Sequence, residues 1–429
     1  MTEITDDELV DAYEYLLARF LVLRQEHQDV GADGSGYNTL RYNPLGSAEF
    51  VNPNLDVAYL EAWIAVDAQH AVLLEVPDAG DRYSTVQVLD GWGEVLANVN
   101  ERTFPDHPSG TVAFTLAGTE PEVPSGALRV ELPAAKAKVL ARVELQDTPD
   151  EAVALQRAFR VRAPEGVVVE PAYPVPAFTN ARLLGAEIFT HAAGVLAGCP
   201  DSMPSAPRHQ AVAAAAAELV DSGPEGRARV EEVIRTVAVP HFLAGARQFG
   251  THRDGWSVLY TAGRFGDDVF ARAVVDYGGL WANVPEEAIY FVGQTDADGR
   301  MLEGSSTYEI RFPADGLPGA VVDAFWSLTL YSVPDYRVVP NALDRYDLAS
   351  RMALETNADG SLSLWLGPDV PPGAPRSNWL PTPAGAGFSL NLRMYVAHEA
   401  VTSGHWFPAP IRRHAEHPGT PTVEVTSGP

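Results

Sequence analysis

The chain has almost no sulfur chemistry to offer, because its 429 residues include one cysteine, Cys199. No intrachain disulfide can form, and a multi-cysteine zinc or iron–sulfur centre is excluded. Basic residues are scarce as well: 30 Lys and Arg stand against 57 Asp and Glu, for a formal charge of −27. Binding a phosphate backbone requires a basic surface and counterion release, so no nucleic-acid partner is expected. Anionic membranes are disfavoured for the same reason. Long apolar runs are missing too, since none reaches the ~18–20 residues that span a bilayer. The Ala-rich run from Ala211 to Val220 is short and carries Glu218. The opening Met1-Thr-Glu-Ile-Thr-Asp-Asp-Glu8 has neither the basic nor the apolar part of a secretory leader. These absences predict a cytoplasmic protein with no membrane or nucleic-acid partner.

Cofactor and metal signatures are equally sparse. There is no P-loop, dinucleotide fingerprint or Gly-x-Ser-x-Gly elbow, and Gly263-Arg-Phe-Gly266 reads as a turn. The eleven histidines form no His-x-x-x-His pair, and His398, His405, His414 and His417 lack ligand-like spacing. Asp296-x-Asp298-Gly299 starts like a calcium loop, but its twelfth position is Thr307 rather than glutamate, so a hairpin turn is expected. Asp267-Asp268 is what a helix N-terminus favours. No cofactor and no metal are therefore expected.

What remains is the composition of a globular protein, 46% hydrophobic and 20% charged. The length exceeds one ordinary core and predicts two domains. Thr5 and Glu8 form a capping box ahead of Leu9, Tyr13, Leu16, Leu17, Phe20 and Leu23 at helical spacing, with Gly31, Gly34 and Gly36 closing the helix. From residue 37 to 147 short period-two runs separated by Gly, Pro, Asp and Asn predict strands at Leu73–Val76, Tyr83–Leu89, Thr111–Leu116, Ala127–Leu132 and Lys138–Leu145. A second capping box at Thr148 and Glu151 opens a helical region over 148–283, with helices expected near 149–162, 180–197, 205–221, 225–248 and 265–281. Pro240 should kink or break the fourth. Strands return over 284–413, at Ser306–Phe312, Ala324–Ser332, Ser361–Leu366 and Phe388–Val396, and 414–429 forms a tail. The prediction is a mainly β chain: two antiparallel, jelly-roll-like β-sandwich domains joined by a helical region.

The two β regions can be laid on each other. Tyr83-Ser84 reaches Asn98 after fifteen residues, and Trp326-Ser327 reaches Asn341 after fifteen. Gly110-Thr-Val-Ala-Phe-Thr-Leu116 parallels Gly360-Ser-Leu-Ser-Leu-Trp-Leu366, and Val139-Leu-Ala-Arg142 parallels Leu390-Asn-Leu-Arg393. A duplication would give both halves one strand order; half-buried strands also resemble one another for purely physical reasons.

Asn52-Pro-Asn-Leu-Asp-Val-Ala-Tyr59, Leu74-Glu-Val-Pro-Asp-Ala-Gly-Asp-Arg-Tyr83 and Val86-Gln-Val-Leu-Asp90 resemble the domain of unknown function 1254. Asp323-Ala-Phe-Trp-Ser-Leu-Thr-Leu-Tyr331, Val339-Pro-Asn-Ala-Leu-Asp-Arg-Tyr346, Asn357-Ala-Asp-Gly-Ser-Leu362, Asn378-Trp-Leu-Pro381 and Leu392-Arg-Met-Tyr395 resemble its usual companion, the domain of unknown function 1214. The resemblance spans about residues 35 to 413. It implies jelly-roll-like sandwiches and often a homo-oligomer, and it names no reaction.

Two constellations could carry chemistry. In the first, Asp56 is a candidate general base or acid, Tyr59 a proton donor or hydrogen-bond partner and Arg82 an anchor for a negative group, with Glu75 and Asp90 nearby. Strand alternation puts Arg82, Ser84, Val86, Val88 and Asp90 on one face and Tyr83, Thr85 and Gln87 on the other. An Arg and a carboxylate on one face could clamp a substrate carboxylate or tune an acid. The competing reading is a salt-bridge network that pins loops. In the second, Trp326, Tyr331, Asp335, Tyr336, Arg345, Tyr346, Asn378, Trp379, Arg393 and Tyr395 could line a substrate pocket, or be sandwich core and subunit contact. The expectation is a cofactor-independent enzyme on a small organic substrate, of hydrolase, lyase or isomerase type. The alternative is a non-catalytic binding or assembly protein, with a specialised-metabolism cyclase more remote. An enzyme should show converging polar residues with perturbed pKa values; an assembly protein should show a flat apolar patch.

Overall fold

The computed structural model describes residues 4–31, 36–45 and 53–414. Gly34, Asn52, His417 and the tail beyond His414 lie outside the described residues. The chain forms two compact units. The first takes the described chain up to Gly250 apart from Pro53, together with Leu259–Ala288; the second takes Thr251–Val258, the chain from Ile289 onward, and Pro53.

The first unit contains strands β1 (Arg41–Tyr42), β2 (Val57–Ala65), β3 (Val72–Val76), β4 (Ser84–Leu89), β5 (Val95–Val99), β6 (Gly110–Leu116), β7 (Leu128–Leu132), β8 (Lys136–Glu144) and β9 (Arg160–Arg162). They make two sheets, ordered β1-β2-β8-β4-β5 and β7-β6-β3-β9. Leu60, Ile64, Val86, Val88, Val139 and Ala141 of one sheet pack in a single core with Val72, Leu74, Val112 and Phe114 of the other. These are alternate residues on each strand, as a half-buried sheet requires.

The unit's helices are α1 (Asp6–Val30), α2 (Pro149–Gln156), α3 (Glu187–Thr190), α4 (Ala192–Ala197), α5 (Ala206–Asp221), α6 (Pro224–Val233), α7 (Val239–Ala246) and α8 (Val269–Gly278). The α1 capping box is present: the Glu8 amide donates to the Thr5 hydroxyl and the Thr5 amide to the Glu8 carboxylate. Helix α1 is buried on nearly all sides, with Tyr13, Leu16, Leu17 and Phe20 packed among residues of α3, α5 and α7. Thr148, by contrast, does not cap α2 with its side chain; its hydroxyl donates to Glu151 and accepts from Arg82. The expected helix over 149–162 ends at Gln156, and its last residues form β9 instead. Ahead of Pro240 the helix does not break but relaxes into a π turn, Ile234–Ala238. Proline removes one backbone donor, and the wider turn accommodates the loss.

The second unit contains β10 (Thr251–Arg253), β11 (Trp256–Val258), β12 (Ala288–Gly293, whose first residue clusters with the first unit), β13 (Tyr308–Phe312), β14 (Trp326–Ser332), β15 (Asp347–Ala349), β16 (Leu362–Gly367), β17 (Trp379–Pro381), β18 (Phe388–Tyr395) and β19 (Ile411–Arg413), with the short helix α9 (Glu399–Thr402). Its sheets are ordered β10-β11-β12-β18-β14-β15 and β17-β16-β13-β19. Asp296-Ala-Asp-Gly299 is a tight turn: the Asp296 carboxylate accepts the amides of Asp298 and Arg300, and Gly299 takes a φ of +81°.

The strand orders of the two units correspond one to one, apart from the added edge strand β10. The correspondence extends to direction. Strands β6–β7 and β16–β17 occupy equivalent places and are parallel, where an antiparallel arrangement was expected throughout. The matched sequence runs need one correction of register. Arg142 lies opposite Thr85, and Arg393 lies opposite Ser327. Thr85, not Ser84, therefore corresponds to Ser327, and a slip of one would have put every side chain on the wrong face.

Candidate active site

The first sheet's second face carries Tyr59, Glu61 and Trp63 on β2, Thr85 and Gln87 on β4, Asn98 on β5, and Lys138 and Arg142 on β8. The valines between them face the sandwich core, so period two alone assigns these residues to the opposite side. A polar sheet face ordinarily meets water. Here Thr85, Gln87, Asn98, Lys138 and Arg142 are buried, and desolvated polar groups need partners.

Residues 279–288, which follow α8, supply many of them. Gln87 donates to the Ala282 carbonyl at 2.9 Å and accepts from Arg142 at 2.6 Å. The side chains of Asn98 and Asn283 exchange two hydrogen bonds, each 2.9 Å. Glu287 accepts from the Tyr83 hydroxyl at 2.8 Å, from Arg102 at 2.7 Å and from Asn100 at 3.1 Å. Asn100 donates in addition to Thr85 at 2.9 Å. The Arg142 guanidinium lies 5.5 Å from the Tyr59 ring centroid. At the far end, Lys138 bridges Asp29 and Glu61 at 2.7 and 2.6 Å, with the rings of Trp63 and Trp281 each 5.5 Å away. Carboxylate, phenol, amide and guanidinium groups are thus held in place on the strands and on the segments that follow β5 and α8, an arrangement suited to orienting a small polar molecule.

A second cluster lies where the β4–β5 turn meets α1 and α8. Asp90 accepts the amides of Trp92 and Glu94 at 2.8 and 3.0 Å. Burial pushes its carboxyl up to about 6 and that of Glu94 up to about 7. Arg272 binds both oxygens of Asp201, at 3.0 and 2.9 Å, and stacks 4.3 Å from the Trp92 ring. Burial raises Asp276 well above the carboxylate range, and neither of its oxygens has a hydrogen-bond partner among the described residues. Burial likewise lifts the Cys199 thiol to about 12, which leaves it unreactive near neutral pH.

The residues singled out from the sequence fall in several places. Tyr59 is on the polar face. Asp56 is buried at the start of that strand, its carbonyl accepting from Leu145. Arg82 donates to the carbonyls of Glu144 and Leu145 and to Thr148 and Glu151, holding the start of α2. It also lines a shallow, acidic cleft of about 460 Å³ with Asp78, Asp81 and Glu151. Asp90 belongs to the acid cluster, not to a shared face with Arg82. In the second unit Tyr331 and Arg393 come together: the guanidinium donates to the Tyr331 hydroxyl at 2.8 Å and to Thr329 at 3.0 Å. It lies 6.0 Å from the Tyr290 ring, as Arg142 lies over Tyr59. Tyr395 shares that face and stacks on Phe325 at 4.1 Å. Trp326 points the other way, Asn378 is buried with its amide bonded to Glu355 and Ser363, and Arg345 holds the carbonyls of Arg376 and Trp379.

Sequence reasoning passed over Gln87, Arg142, Asn283 and Glu287. Alternation did separate Tyr83, Thr85 and Gln87 from the valines, which was signal enough to find that face. Asn283 and Glu287 lie 185 and 204 residues from Asn98 and Tyr83 in sequence and carried no such signal.

The fold and these buried polar faces define a two-sandwich protein with a helical layer on its first unit. The chain belongs to the two-domain family in which the protein of unknown function DUF1254, matched at residues 37–163, precedes the protein of unknown function DUF1214, matched at 287–399. The crystal structure of the VPA0106 protein from Vibrio parahaemolyticus has the same fold. It is 21% identical, covers 96% of this chain and 100% of its own, and superposes with a TM-score of 0.70. An uncharacterized protein from Burkholderia cenocepacia is more distant, at 12% identity and a TM-score of 0.46 over 94% of this chain and 86% of its own. No curated protein matches the chain. Among the described residues, no helix is long and apolar enough to cross a membrane.

Proposed function

We propose that this chain is an acid–base enzyme of hydrolase or lyase type, acting on a small organic substrate with an anionic group at the polar face of the first sheet. One observation carries the reading. The Tyr83 hydroxyl and the Glu287 carboxylate are held 2.8 Å apart, and Arg102 and Asn100 fix the carboxylate from its other sides. A phenol bonded to an oriented carboxylate is a proton donor with its base already in place.

In this reading Arg142 attracts the substrate's negative group, with Tyr59 beside it as a hydrogen-bond partner and Asp56 at the strand's start as a second acid or base. Gln87 and Asn98 orient the substrate. Arg82 keeps the neighbouring helix in place. The enzyme works in the cytoplasm, where a chain with one buried thiol needs no disulfide.

The test is to extract and identify by mass spectrometry the small molecules that the purified protein retains. The same extraction is then run on Tyr59→Phe and Arg142→Lys variants of unchanged circular dichroism. An anionic metabolite retained by the wild type and depleted at least tenfold in both variants supports the reading. Equal retention in all three proteins overturns it.

A further inference from the structure

The segment over the polar face is tied directly to the acid cluster. Helix α8 carries Asp276, and two residues later Gly278-Gly279 starts the covering segment. Leu280 and Trp281 then take left-handed backbone angles, with φ of 59° and 48°. Two consecutive residues with side chains in that region are strained, and such a conformation persists only where surrounding contacts hold it. Those contacts are the bonds from Gln87, Asn98 and Tyr83 described above.

Asp276 sits at the other end of this connection. It packs so close to the β4–β5 turn that a side chain at Gly93 would come within 2.7 Å of its Oδ1. From α8 itself it faces Arg272, already bound through two bonds to Asp201. From the turn it faces Asp90 and Glu94, and from α1 it faces Arg19, which donates to the Gly91 carbonyl at 2.8 Å. The Cys199 thiol and the Tyr15 hydroxyl, at the edge of the same cluster, stay protonated because burial raises both. Two guanidiniums thus face four carboxyls. Both oxygens of Asp276 are left without a hydrogen-bond partner among the described residues, and the side chain is only 2% exposed.

We propose that the acid cluster is a proton-operated latch on the 279–288 strap, closed while Asp276 is protonated and released when it ionises. The neutral acid lets α8 lie against the β4–β5 turn. An ionised Asp276 meets Asp90 and Glu94 in a desolvated setting, and the least costly relief is for the end of α8 to move away and take the strap's first residues with it. Carboxyls raised by burial favour the closed form at low pH, and that preference is lost as pH rises through their raised values. Burial raises Asp276 well above the usual carboxylate range, so release lies on the alkaline side of that range. The strap's role in admitting substrate rests on the function proposed above, whereas the latch itself does not.

Hydrogen–deuterium exchange of the full chain without ligand tests the latch, measured from pH 5.5 to 9 and corrected for the intrinsic pH dependence of exchange. Residues 279–288 are compared with 9–23 of α1 as an internal reference. The expected result is that strap protection falls at least tenfold further than the reference across this range in the wild type, and that Asp276→Asn abolishes the extra fall. Glu94→Gln, at a half-buried position, serves if the first variant does not fold; it should shrink the fall or move its midpoint. Strap protection that tracks the reference at every pH overturns the latch, as does an unchanged fall in either variant. Because no substrate is present, a failure here is distinct from a failure of the proposed function.

Discussion

Asp90→Asn should make the protein's stability less sensitive to pH, by an amount that follows from the burial of Asp90. The Asp90 carboxyl is raised from 3.8 to about 6 because the desolvation of its charged form outweighs the two amides that it accepts. A group raised in the folded state stabilises fully below its unfolded value, and that contribution is lost as pH rises through the folded value. The gap between 3.8 and about 6 is worth about 3 kcal/mol, at roughly 1.4 kcal/mol per tenfold change in proton affinity. Asparagine keeps the oxygen that accepts from Trp92 and Glu94 and cannot titrate. The stability of the variant relative to wild type should therefore rise by about 3 kcal/mol between pH 3.5 and pH 8, with most of the change between pH 4 and 6. The change with pH matters rather than either end point, because the different acceptor strength of an amide shifts the whole curve by a constant. Equilibrium urea unfolding of both proteins at pH steps of 0.5 measures it, followed through the transition that exposes α1. A stability difference that stays constant over this range would refute the reasoning.

Other perturbations have equally definite outcomes. Arg272→Met strands the Asp201 carboxylate in a buried site and should cost about 3–5 kcal/mol in urea unfolding. Asn98→Ala removes both reciprocal bonds to Asn283 and leaves that amide buried, for a loss of about 2–4 kcal/mol by the same measurement. Gly93→Ala combines a φ of +78° with a Cβ pressed against Asp276, and should lower the thermal midpoint by more than Gly80→Ala, where the added carbon meets nothing within 4 Å. Arg82→Met should weaken the protein by about 1–3 kcal/mol, through the hydrogen bonds to the Glu144 and Leu145 carbonyls that it removes, while turnover stays within about threefold of wild type.

The sandwiches were legible because strands with one apolar and one polar face write period two into the sequence, as at Thr111–Leu116 and Phe388–Tyr395, even where both faces are buried. Strand β2 was not, since Val57-Ala-Tyr-Leu-Glu-Ala-Trp-Ile-Ala65 is buried along nearly its whole length on both faces and shows little alternation. The α1 start was legible through its capping box. The Thr148 box marked the start of α2 but not its bonding, because Arg82, just ahead of β4, binds the same hydroxyl and carboxylate. Asp90 and Arg82 looked like partners on one face, yet their neighbours Val86 and Val88 mark that face as the sandwich core, and each polar residue lies beyond the strand's end. Arg142 and Glu287 were hidden for a different reason. A site built from strands that are adjacent in space and distant in sequence leaves no local pattern. The matching strand orders of the two units recover part of it, since Arg142 over Tyr59 has its counterpart in Arg393 over Tyr290.

The central claim is that the Tyr83–Glu287 pair performs acid–base chemistry. Its most direct test is the turnover of the retained metabolite by wild type and Glu287→Gln, with circular dichroism confirming an intact fold. The account predicts a loss of about 100-fold or more in kcat, since a positioned base contributes typically 10²–10⁴-fold. Turnover within about twofold of wild type in a folded Glu287→Gln protein would contradict it.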